Sequence, residues 1–118
     1  MRTDNEFLRY VLEQLSPLPD LRAAAFFSGI GIRSATAMFA MLMDGSLYFA
    51  TDEATRPQYL ALGSRRFSYR MKTRLVETKF FEVPAEIIDE RERLLAFARA
   101  AIAVAERKAG ARRGKRGA

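Results

Sequence analysis

A chain of 118 residues that lacks both cysteine and histidine has room for one domain and leaves out much chemistry at once. Zinc centres of Cys and His, Cys-His nucleophile pairs, Ser-His-Asp triads, histidine general bases and disulfides are all ruled out, while a carboxylate metal site or Lys/Tyr chemistry stays formally open. The net charge of +6 is unevenly placed: residues 1–106 hold fourteen basic and fourteen acidic side chains, so the whole excess falls in residues 107–118.

Thr3 or Asp4 can cap a first helix, in which Phe7, Leu8, Val11, Leu12 and Leu15 recur near the helical period. Ser16-Pro17-Leu18-Pro19-Asp20 ends it, because proline lacks the N–H and restricts its predecessor. Residues 21–28 read as a strand and residues 30–33 as a short second one, followed by a turn at Ser34-Ala35-Thr36. Two apolar runs, 37–43 and 46–50, flank Asp44-Gly45, the strongest short-range signal for a hairpin. Asp52 suits an N-cap that accepts the Thr55 N–H, for a short helix over 54–62 stopped by Gly63. Pro57 in its first turns suggests a 3₁₀ start near Thr55.

Residues 67–71 alternate apolar and polar, the period of a half-buried strand, and 75–83 pair with them across Lys72-Thr73-Arg74 until Pro84. Asp89 and Glu92 have capping-box spacing before a last helix whose stripe is Leu94, Leu95, Ala98, Ala101, Ile102 and Ala105. From Lys108 onward no apolar anchor remains. The expected layout is therefore a domain over residues 1–106 and a disordered basic tail over 107–118. The fold expected is α+β, a mostly antiparallel sheet covered on one face by helices, in the order α-β-β-β-β-α-β-β-α. No run approaches the ~18 apolar residues that cross a bilayer, and charges at Asp4, Glu6, Arg9 and Glu13 break any leader-like pattern. A cytoplasmic protein without membrane attachment is expected.

Five constellations are candidates for function. Gly29-Ile30-Gly31 is a G-x-G, but more strand follows it where a phosphate cradle would open a helix, so close packing is the favoured reading. Phe26, Phe27, Met38, Phe39, Met41, Met43, Tyr48 and Phe49 form an aromatic–methionine cluster. It suits core packing first, an exposed remainder at a dimer interface second, and a ligand pocket third. Arg65, Arg66, Arg70, Lys72, Arg74 and Lys79 interleave with Phe67 and Tyr69, a pattern that stacks bases if the aromatics are exposed and is merely a wet face if they are buried. Arg107, Lys108, Arg112, Arg113, Lys115 and Arg116 in the tail can meet phosphates without reading sequence, with a log–log salt slope of about −5 if all six engage; a solubilising end explains them equally. Glu86, Asp89, Glu90 and Glu92 fit a helix start without catalysis or metal.

Several of these landmarks stand in a fixed order: Phe26-Phe27-Ser28-Gly29-Ile30-Gly31, the Asp44-Gly45 hairpin, Asp52-Glu53-Ala54-Thr55-Arg56-Pro57, Phe67-Ser68-Tyr69, Phe80-Phe81-Glu82-Val83-Pro84 and Leu94-Leu95-Ala96-Phe97-Ala98-Arg99. Over about residues 20–106 the chain resembles the TfoX (Sxy) N-terminal domain family, as a stand-alone single-domain member. The family's Met-Phe-Gly-Gly-x-Gly run corresponds to Phe26, Phe27, Ser28, Gly29, Ile30 and Gly31, with Ser28 in place of one glycine. The resemblance implies a compact α+β fold and a non-enzymatic regulatory role like that of competence regulators, possible in transcription and exercised through protein contacts. It implies no cofactor, no catalytic residue and no metal. A homodimer is expected because a small open sheet leaves an edge to cover. Nucleic-acid binding through the basic tail is the alternative.

Overall fold

The computed structural model describes the backbone of residues 4–117 and the side chains of residues 6–111, so the expected caps Thr3 and Asp4 lie outside the described side chains. The elements are α1 (Asp4–Gln14), β1 (Arg22–Phe26), β2 (Gly29–Arg33), β3 (Met38–Met43), β4 (Ser46–Ala50), α2 (Arg56–Ala61), β5 (Arg66–Met71), β6 (Arg74–Glu82), α3 (Ala85–Ile88) and α4 (Arg91–Gly117). The six strands form one antiparallel sheet in the order β1-β2-β3-β4-β6-β5. This is the expected α+β architecture with one short helix added.

Asp44 and Gly45 both take positive φ, 51° and 79°, which matches a two-residue type I′ turn and sets Met43 opposite Ser46. Asp52 accepts the Ala54 and Thr55 N–H groups at 3.1 and 2.9 Å, and Thr55 Oγ1 accepts the Asp52 N–H at 3.0 Å. That reciprocal turn comes before α2, which starts at Arg56 rather than 54, because Pro57 is accommodated only in the first helical turn. Gly63, at φ 72°, ends the segment as expected.

Asp89 does not cap the last helix. Pro84 opens the extra helix α3, which buries Ile87 and Ile88, and Asp89 is the C-cap that follows it. The Asp89 carboxylate accepts the Tyr10 hydroxyl at 2.6 Å, and Gln14 donates to the Ile88 carbonyl at 2.8 Å, so α1 is pinned to this corner. Helix α4 then begins two residues later, at Arg91, and its backbone continues to Gly117, past the boundary expected at Glu106. Alanines and long basic residues are good helix formers, and nothing stands near Gly110 to interrupt the run.

All the large helices lie on one face. Leu94, Ala98, Ala101 and Ala105 of α4 are buried over β3 and β4, against Phe39, Ala40, Leu42, Leu47 and Phe49. Phe7, Val11 and Leu15 of α1 and Tyr59 of α2 complete this core. The Tyr59 ring meets Phe81 and Phe97 at 6.0 and 5.4 Å, and burial pushes its hydroxyl far above the ordinary tyrosine range.

Candidate functional site

Among the described residues, no helix covers most of the width of the second face of the sheet, yet that face is apolar. Alternation along β3 and β4 points Ala40, Leu42, Leu47 and Phe49 to the helices and Met41, Met43 and Tyr48 to the open side. A β-bulge extends the pattern: Ile32 pairs with Ala40 but Arg33 pairs with Met38, so Phe39 is an extra residue. Phe39 and Ala40 therefore both enter the helix-side core, and Met38 stays with Met41 and Met43. A second irregularity, between β5 and β6, places Phe67 and Phe80 beside them. Thr78 fixes it by donating to the Phe67 carbonyl at 2.7 Å and accepting the Phe80 N–H at 3.1 Å.

The sequence cluster is thus divided. Phe39 and Phe49 are core; Phe26, Phe27, Met38, Met41, Met43 and Tyr48 line or border the open face. Between them lies a half-open cavity of about 440 Å³, bounded also by Phe67, Tyr69 and Phe80. Tyr48 and Phe67 meet edge to face at 5.1 Å, and burial together with the nearby Glu82 carboxylate pushes the Tyr48 hydroxyl above its ordinary range.

Gly29 and Gly31 form the floor. A Cβ on Gly29 would collide with the Leu42 carbonyl and stand 2.5 Å from the Met43 sulfur; one on Gly31 would stand 2.6 Å from the Met38 sulfur. The G-x-G is a packing device that lets two methionines lie flat across β2. Phe27 stands at the rim. It adopts φ 52° at the β1–β2 turn, is 84% exposed, and meets Phe26 edge to face at 4.6 Å. A left-handed conformation costs a side chain with a Cβ about 1–2 kcal/mol.

One end of this cavity is cationic. Lys79 and Lys108 line it beside Met38 and Phe80. Arg22 and Arg33 stand opposite each other on the same face at that end, a like-charge pairing that costs stability. Arg33 donates to the Thr36 carbonyl at 3.5 Å. The acids nearby are engaged: Asp52 accepts Arg107 at 2.7 Å, and Glu106 accepts Ser34 and Thr36 at 3.3 and 3.1 Å. Bonds from the Thr55 backbone and then from Arg107 hold the Asp52 carboxyl below the usual range.

The other predicted sites separate. Of the hairpin cations, Arg65 pairs with Glu82 at 3.2 Å, and Arg66 sits 5.0 Å over the Phe81 ring while donating to the Thr78 carbonyl at 3.1 Å. Phe67 and Tyr69 face the open side and Arg66 the other, so aromatics and this cation do not form one surface. Of the tail residues, Arg107 is tied to Asp52 and Lys108 reaches the cavity, both within α4. Arg112, Arg113, Lys115 and Arg116 fall on the last turns of α4, and their side chains lie outside the described residues. The acidic residues resolve into local pairs, Asp89 with Tyr10 and Glu90 with Arg93.

Among the described residues no helix is long and apolar enough to cross a membrane. A family model described as the TfoX N-terminal domain matches residues 13–105. The chain therefore belongs to that family, a family of non-catalytic domains. No curated protein matches it.

Proposed function

We propose that this domain is a non-enzymatic regulatory module that binds other polypeptides, a second copy of itself among them, in a transcription-related role within the cytoplasm. The observation that supports this is the contrast between the two sheet edges. Edge strand β1 has three consecutive alanines, exposed on both faces, and no charge after Arg22. An unguarded strand of small side chains is a template for another strand. The opposite edge, β5, carries Arg66 and Arg70 and is bent by its irregular register, the usual protection of a free edge.

Two copies paired antiparallel through β1 would make one continuous sheet. Light scattering on the intact chain tests this: wild type should show twice the 13.4 kDa chain mass, and A23K/A25K, which places two charges on the edge, should show the single-chain mass. Equal masses for the two proteins would remove β1 from the reading.

A second reading, nucleic-acid contact through the basic end, is favoured by the continuation of α4, which carries Arg112, Arg113, Lys115 and Arg116 together on its last turns. With Arg107 held by Asp52 and Lys108 at the cavity, four cations remain, and the log–log salt slope falls to about −4. Truncation after Ala111 should abolish that salt-dependent binding to duplex DNA; unchanged affinity would exclude the tail.

A further inference from the structure

We infer that the open face of the sheet is a binding site for a small free amphiphile with an extended apolar body and one anionic group. The inference requires neither pairing of two copies through β1 nor the cations beyond Ala111. A cavity of about 440 Å³ falls in the range of small-molecule sites, which are mostly apolar with a few converging polar groups. Its walls are aromatic rings and methionines, side chains that adapt to flexible apolar ligands.

Charge complementarity selects the ligand class. Among the described residues, the polar side chains that line the cavity are those of Ser28, Tyr69, Thr78, Lys79 and Lys108, and no acid lines it. The two lysines lie at the Met38–Phe80 end, where Arg22 and Arg33 also face each other. A bound anion there would relieve the arginine pair. The opposite end, at Phe26, Phe27 and Met43, offers only hydrocarbon, sulfur and the Ser28 hydroxyl. The site is thus graded along the strands, cationic at one end and apolar at the other, as a carboxylate with a hydrocarbon tail is graded in reverse.

Phe27 adds a second observation. Its ring is exposed at the apolar rim, held there by the positive φ that the two-residue loop between β1 and β2 requires at its first position. Over an occupied cavity the ring would cover the tail of the ligand.

The methionines supply the test. In protein labelled at the methionine methyls, dodecanoate added below its micelle concentration should shift Met38, Met41 and Met43 saturably, and leave Met71, half-exposed on β5 and outside the cavity, unmoved. Dodecanol, the same chain without the charge, should bind at least fivefold more weakly. The variant K79Q/K108Q, altered at two exposed positions, should keep the methyl spectrum of the folded protein and bind dodecanoate about tenfold more weakly. Absence of a saturable shift, or equal affinity for acid, alcohol and double variant, would overturn the proposal. Sedimentation with anionic phospholipid vesicles without a response to dodecanoate would overturn it in favour of a membrane headgroup.

Discussion

The two faces of this sheet are built from the same strands and differ in what lies over them. On one, Phe49, Leu47 and Phe81 meet α4 and α2 and are almost without solvent contact. On the other, Met41, Met43 and Tyr48 are nearly as buried, but by their neighbours in the sheet, and Tyr69 and Phe27 stay exposed beside them. Apolar residues are therefore not a single core here. One face stabilises the fold, and the other retains apolar surface whose removal should matter less to folding than to binding.

The sharpest test of that difference is a truncation on each side. F49A should cost about 3–5 kcal/mol in urea unfolding, the range for a buried ring. Y69A, at a residue 40% exposed on the open face, should cost at most about 1 kcal/mol. Similar losses would mean that the open face is a second structural core.

A smaller effect should separate the two floor glycines. G29A forces a Cβ against the Leu42 backbone, which cannot move aside, and should cost about 2–3 kcal/mol; G31A meets the far end of the flexible Met38 side chain and should cost about 1 kcal/mol. Equal costs would show that β2 shifts as a whole.

The smallest expected effect lies at Asp52, on the helix side. D52A should lose about 1 kcal/mol, mostly the turn-capping bonds, since an exposed pair with Arg107 adds little. The Asp52 carboxyl lies below its ordinary 3.8 in the folded chain, so its contribution is present above that pH and is lost as pH falls through the folded value. The stability gap between wild type and D52A should then be constant near neutrality and close in acid. A gap that persists at pH 2 would assign the effect to packing.

Much of the fold was legible because local signals agreed with it. Asp44-Gly45 specified its hairpin through backbone sterics alone, and Pro84 and Gly63 stopped their elements where proline and glycine must. Asp89 misled because a capping box is a spacing, and the same spacing occurs where Pro84 has already started a helix that buries two isoleucines. The open face was not legible as a face. Residues 38–43 are apolar at every position, so period-two alternation left no trace, and the cluster read as core first, with an exposed remainder second and a ligand pocket third. Gly29 and Gly31 were the available signal: two residues without side chains, two apart, imply that something lies flat on that side of the strand.

The extra residue at Phe39 governs which chemistry ends up on which side. Counted along an unbroken strand, Met38 would share its parity with Ala40 and Leu42 and turn toward the helices. The bulge reverses that parity once, so Met38 joins Met41 and Met43 on the open face while the Phe39 ring enters the helix-side core. Deleting Phe39 would set Met38 directly before Ala40 in regular alternation, so Met38 would stay on the open side while the helix-side core lost one ring; the inserted residue thus adds a ring to that core without turning the strand over.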